Sequence, residues 1–228
     1  SLTIFRAALL KAVKNDRIEI IYYLLLQEKE IKMNLFKGNN KLLRIAIPPN
    51  ISCINNKSFE GCSSLMYISI PNSVTSIKSN AFKDCSKLKE IKIPYSLTSI
   101  DEYAFCGCTS LTDLFIPSSV THIGKYAFCG CSSLVKITIP FSLTEISPNI
   151  FTRCTSLQSI NIPSTVNVIR SGAFCECSSL KKIIIPSSVT SIERYSFYCC
   201  SSLEEIFVPS SVNAIEFSSF SKCVSLKK

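Results

Sequence analysis

The sequence predicts an α/β protein. Its coils should stack as a solenoid through a continuous parallel sheet, with short helical turns on the other side and a helical cap at the N-terminus. Three observations point there. Pro48, Pro71, Pro94, Pro117, Pro140, Pro163, Pro186 and Pro209 stand 23 residues apart. Phe59, Phe82, Phe105, Phe128, Phe151, Phe174, Phe197 and Phe220 keep the same step, as do Cys62, Cys85, Cys108, Cys131, Cys154, Cys177, Cys200 and Cys223. A period of this length means one supersecondary unit stacked on copies of itself, burying between neighbours what no single copy could bury alone. The periodic part runs over 42–228, eight coils, and residues 1–41 precede it.

Residues 1–41 lack the period and carry Leu9, Leu10, Val13, Ile18, Ile20, Ile21, Leu24 and Leu25 at three- and four-residue steps, the spacing of two helices. Asn15 and Asp16 are expected to turn the chain and cap a second helix beginning at Arg17, since their short side chains can satisfy free backbone N–H groups. The stretch from Ala12 to Leu25, with Asn34 beyond it, resembles the helical hairpin of an ankyrin repeat. The reading is a capping unit that covers the apolar edge of the first coil. Lys37 to Lys41, containing Gly38, Asn39 and Asn40, reads as a short connector.

Within a coil, Ile91 and Ile93 point one way and Lys92 the other, the two-residue period of a strand. Pro94 cannot donate to a ladder, so it ends the strand and turns the chain. The next stretch alternates again. Val120 and Ile123 face inward and Thr121 and His122 outward, giving the coil a second wall. Tyr103-Ala104-Phe105 then places a small residue where the backbone passes close and an aromatic inside, in what is expected to be a short helical or 3₁₀ turn. Cys108 closes the coil as a small buried hydrophobe.

The recurring L-x-x-I-x-I-P-x-S-V-T-x-I-x-x-x-A-F-x-x-C-S-S resembles the BspA-type leucine-rich repeat over about four fifths of the chain, from Leu42 to Lys228. The resemblance implies a right-handed curved solenoid used for recognition and adhesion, at the cell surface or secreted, and no enzyme. So many free cysteines would also suit the cytoplasm. Ile150, in Ser147-Pro148-Asn149-Ile150, replaces the small residue before Phe151, so the convex side of that coil should be irregular. The first coil also departs, with Pro48-Pro49 and Cys53. Leu226-Lys227-Lys228 reads as the opening of a ninth coil; with a start at Ser1, it suggests a piece of a longer protein.

The chain has a net charge of +9, yet eight of its 25 Lys and Arg fall in the first 41 residues and the rest are spread over the coils, so no nucleic-acid groove is expected. No apolar run approaches the roughly 20 residues of a membrane helix, so no membrane insertion is expected. The single histidine, His122, has no base or carboxylate partner for nucleophile activation, and the six glycines form no phosphate-binding loop. Neither cofactor nor metal is expected, because the C-x-C pairs lack zinc spacing. The eight periodic cysteines of the thirteen read as reduced packing thiols, whereas Cys106, Cys129, Cys175 and Cys199 should be partly exposed and reactive.

Function should reside in the variable slots that stacking aligns on the sheet face. Tyr67, Phe115, Ile184 and Phe207 are large apolar residues where a solenoid would tolerate serine, and with Lys92 and Lys136 they form the candidate partner-binding set. The expected ligand is a protein, host or self. An architectural spacer is the alternative reading, and a thiol redox or metal-responsive protein a third. Tyr103, Tyr126 and Tyr195 are expected to pack over the turn. Two sequons, Asn50-Ile51-Ser52 and Asn56-Lys57-Ser58, are expected to leave the sheet face open if glycosylated.

Overall fold

The computed structural model describes residues 2–15 and 17–227. Each coil has two walls of very short strands, because the proline after the first strand and the turn after the second leave few residues for either ladder. The first wall is built of β1 (Arg44–Ala46), β3 (Tyr67–Ser69), β5 (Glu90–Ile91), β7 (Asp113–Leu114), β9 (Lys136–Ile137), β11 (Ser159–Asn161), β13 (Lys182–Ile184) and β15 (Glu205–Phe207). The second is built of β2 (Cys53–Ile54), β4 (Ser76–Ile77), β6 (Ser99–Ile100), β8 (His122–Ile123), β10 (Glu145–Ile146), β12 (Val168–Ile169), β14 (Ser191–Ile192) and β16 (Ala214–Ile215). All pairings are parallel and step by one period, as in Ile45 opposite Ile68 and Ile160 opposite Ile183.

The expected continuous sheet is interrupted. On the first wall the ladders are β1-β3-β5, β7-β9 and β11-β13-β15; on the second they are β2-β4-β6-β8 and β10-β12-β14-β16. At the junction of β5 and β7, Glu90 and Asp113 occupy the same slot of neighbouring coils. Like charges directly opposite weaken strand pairing. Where the slot pairs Asp113 with Lys136, or Lys182 with Glu205, the ladder is intact. The second-wall break falls between β8 and β10, in the coil of Ser147 and Pro148. The convex-side irregularity expected of that coil is not seen; its departure lies in the second-wall ladder instead. Its turn is regular, with Ile150 buried and the amides of Tyr126 and Phe128 bonded to the carbonyls of Pro148 and Ile150 at 3.0 Å each.

The turn itself is not the expected short helix. Two left-handed residues four apart, such as Tyr103 and Gly107 with φ of 57° and 74°, stop any helical run. Amides between them alternate. Cys106 N–H bonds back to Tyr103 O at 3.1 Å, while Phe105 and Gly107 N–H reach forward to Ala127 and Cys129 carbonyls at 2.8 Å. The convex side is thus a third ladder, made of turns bonded to the following coil.

Inside, the phenylalanines form one stack from Phe36 to Phe220, with centroids 4.9 Å apart at Phe36–Phe59 and 5.8 Å at Phe128–Phe151. Phe220 is only partly buried, stacked on Phe197 on one side, so seven of the eight periodic rings are fully enclosed. Each periodic cysteine also donates its S–H to the carbonyl of the phenylalanine 26 residues earlier, as from Cys62 to Phe36 at 3.1 Å and from Cys131 to Phe105 at 3.2 Å. Cysteine here is a donor as well as a hydrophobe.

The N-terminal part is two helices, α1 (Leu2–Lys14) and α2 (Ile18–Leu25), with Leu9, Val13, Ile21 and Leu25 buried and Leu10 and Ile20 exposed. Helix α2 starts one residue later than expected, with Arg17 at its N-cap and no side-chain cap; Asp16 lies outside the described residues. The coil geometry begins before Leu42. Ile31 bridges to Ile54, and the amides of Ile31, Asn34, Phe36 and Gly38 bond to coil-one carbonyls. The expected connector is therefore the end of a half coil whose first wall is replaced by α2. Asn39 stands in its cysteine slot and accepts the amides of Lys41 and Leu42.

Candidate protein-binding surface

Along the first wall the fourth slot of each strand segment (Ile68, Ile91, Leu114, Ile137) is buried, so the third and fifth slots face outward. Around Phe115 this outward face is hollow, with a concavity of about 880 Å³ spanning five coils from Tyr67 to Asn161. Tyr67, Lys92, Phe115 and Lys136, four of the six residues singled out in the sequence, line it together. Ile184 and Phe207 do not. They form an in-register exposed pair further along the same wall, on β13 and β15.

Tyr95 completes the hollow and was missed by sequence reasoning. It follows Pro94, in a slot that holds Asn72, Ser118, Ser164, Ser187 and Ser210 elsewhere, and its ring packs edge-on to Phe115 at 6.3 Å. Phe141 occupies the same slot and is also exposed. The rule that picked out Phe115, a large apolar residue where other coils carry serine, picks out both. A second hollow of about 650 Å³ shares Tyr67, Glu90 and Lys92 and extends to Ile18 and Glu19 of α2. The face therefore runs from the helical hairpin to the sixth coil, mixing aromatic rings with charges of both signs.

Elsewhere, Tyr103 and Tyr126 stack at 4.7 Å on the turn edge, as expected. His122 is exposed in β8 on the second wall. Among the described residues no three His, Cys, Asp or Glu side chains gather as metal ligands, and no helix is long and apolar enough to cross a membrane. All thirteen cysteines are free thiols; seven are buried and six half-buried, including Cys106, Cys129, Cys175 and Cys199. Burial pushes the Cys62 thiol up to about 12.

The two sequon asparagines differ: the Asn50 side chain is tied to the end of α2, whereas Asn56 is exposed. The Asn50 amide donates to the carbonyls of Leu25, Leu26 and Glu28 at the end of α2. Ser58 is buried, its hydroxyl bonded to Asn55 O at 2.7 Å. The first segment thus reaches α2 through Asn50, and the second reaches the half coil through the Ser58 hydroxyl, bonded to Ile31 O and Lys32 O at 3.3 and 3.1 Å.

Family-level comparison decides the lineage. The BspA type leucine rich repeat region matches residues 29–158 and 121–228, in six copies. The chain belongs to the BspA-type leucine-rich repeat family. Among solved structures, a leucine-rich repeat protein from Bacteroides ovatus is 28% identical with a TM-score of 0.67, over 86% of this chain and 68% of that one. The T. pallidum leucine-rich repeat protein is 27% identical with a TM-score of 0.66, over 82% of this chain and 78% of the other. A leucine-rich cell surface protein from Faecalibacterium prausnitzii is 28% identical with a TM-score of 0.52, over 80% and 62%. Comparison with curated proteins finds none that matches. The family model begins at residue 29, in agreement with the half coil seen in the fold.

Proposed function

We propose that this BspA-type solenoid is a non-catalytic recognition module that binds a protein partner through its hollow first wall. The observation that carries the reading is the convergence of Tyr67, Tyr95 and Phe115, each roughly half or more exposed, around one concavity beside Lys92 and Lys136. Rigid aromatic rings bounded by charge are the residue types that dominate interface energetics. Ile184 and Phe207 extend the apolar surface by two coils, so contact is distributed along the face. The likeness to a protein described as a leucine-rich cell surface protein supports exposure to external partners. A pure spacer has no need of these rings.

The test uses the immobilised chain against solubilised cell-surface protein, with retained proteins identified by mass spectrometry and their affinity measured. Phe115→Ser with Phe207→Ser should weaken binding by about thirtyfold or more, the loss of at least one hot spot. Thr121→Ser with His122→Ser, on the second wall, should leave it unchanged. Loss from the second pair alone would put recognition on the other wall.

A further inference from the structure

Cys106 and Cys129 occupy the same position of two consecutive coils, and the backbone holds them in register. Phe105 and Gly107, on either side of Cys106, donate to the carbonyls of Ala127 and Cys129 at 2.8 Å. Neighbouring strands lie about 4.8 Å apart, inside the Cα separation that a disulfide spans. Both side chains are half-buried, and each thiol perturbs the titration of the other. The other cysteines are placed differently. The periodic thiols give their protons to phenylalanine carbonyls, and all but Cys223 are buried. Cys175 has Thr152 and Tyr198 as row neighbours, and Cys199 has Glu176 and Lys222. Cys53 faces Ser76, whose hydroxyl bonds its sulfur at 3.2 Å.

We propose that Cys106 and Cys129 are an intercoil dithiol that closes to a disulfide by exchange with a low-molecular-weight disulfide. This does not depend on the partner-binding reading. Cys129 is the attacking thiol: the neighbouring Cys106 thiol and the charge of Arg153 favour its thiolate against burial. Its sulfur attacks one sulfur of the small disulfide, whose S–S bond breaks and releases one small thiolate with the bonding pair. Cys106 then loses its proton to that thiolate or to water and attacks the Cys129 sulfur of the mixed disulfide, expelling the second small thiol. Two protein thiols are oxidised by two electrons and one small disulfide is reduced to two thiols. Gly107 and Gly130 beside the pair carry left-handed φ of 74° and 71°, and the Asp84 carboxylate fills the space beside Gly107. The bridge would staple the two coils whose first-wall ladder is open between β5 and β7.

The reduced full chain, incubated with glutathione disulfide under native conditions, blocked and mapped by mass spectrometry, should yield one intramolecular bridge, Cys106 to Cys129. With Cys106→Ser the reaction should stop at a glutathione adduct on Cys129. With Cys129→Ser the adduct on Cys106 should form more slowly than that on Cys129 in the other variant. Stable separate adducts on both cysteines of the unmutated chain, a bridge to a buried periodic cysteine, or no reaction at either thiol would overturn the proposal; equal rates in the two variants would overturn the assignment of Cys129 as attacker. The mapping of the unmutated chain stands whether or not either variant folds.

Discussion

Phe128 has no exposed surface and lies between the rings of Phe105 and Phe151 at 5.6 and 5.8 Å. Truncating it removes contacts to two coils at once and leaves a cavity that neither can fill, because each ring is held by its own turn. Phe128→Ala should therefore destabilise by about 3–5 kcal/mol, read as a lower denaturant midpoint. Phe220, partly buried with one stacking neighbour, provides the internal contrast, and Phe220→Ala should lose no more than about 2 kcal/mol. Equal losses would mean that the stack does not transmit stability between coils. The cysteines make a parallel statement about access. Burial holds seven thiols away from reagent, so titration of the native, reduced chain should find at most the six half-buried ones, rising to thirteen on unfolding.

At the scale of elements, the joint between the helical hairpin and the first coil turns on Asn50, whose amide gathers the last carbonyls of α2. Leu25 O also accepts the Glu28 amide at 3.0 Å, whereas Leu26 O has the Asn50 side chain as its donor. Asn50→Ala should remove this side-chain tie at a cost of about 0.5–1.5 kcal/mol, with faster amide exchange in α2 than in coils three to seven; unaltered exchange would remove Asn50 from that role. A second joint is the ion triad of Arg170 with Glu145 and Glu193, at 2.7 and 2.8 Å. Although burial opposes it, bonds from Arg170 and from the Ser171 amide and hydroxyl hold the Glu193 carboxyl below its ordinary value of 4.5. A lowered folded value means that its contribution is complete above that pH and lost as pH falls through the folded value. Glu193→Gln should thus cost up to about 1 kcal/mol at neutral pH and flatten the acid limb of a stability profile. The coils themselves were legible in the sequence because proline, phenylalanine and cysteine each do one job at one step. The half coil over Ile31 to Gly38 was not, since it has asparagine in the cysteine slot and no proline before it. Of the hollow, Tyr67, Lys92, Phe115 and Lys136 were legible as wall residues; Tyr95 sits one residue past the strand-ending proline, where the alternation that identifies a wall has stopped.

Across the whole molecule, each coil touches only its neighbours, so stability is a sum of coil and junction terms, and the weakest junction decides where the solenoid opens. Two first-wall junctions lack the usual bond. Lys89, Val135, Lys181 and Glu204 each send an amide to the preceding coil, whereas Thr112 and Gln158 make no equivalent bond. These positions bracket β7 and β9, which form a two-stranded island beneath the hollow face. The surface best furnished with exposed rings thus rests on the least tightly laddered part of the wall, and a partner seated across it would clamp three ladders together. At the first junction Glu90 and Asp113 stand in register, and removing one charge should close the gap. Asp113→Asn leaves shape and burial unchanged while deleting the like-charge opposition, though it also removes the attraction to Lys136 on the other side. Both terms are of order 0.2–1 kcal/mol, so net stability should move little. The diagnostic is local: amide exchange at Thr112 should slow in the variant relative to Gln158, whose junction carries no such pair. If both amides exchange as slowly as Val135 in the unmutated chain, the ladder is not interrupted; if Asp113→Asn leaves Thr112 as fast as before, charge is not what holds it open.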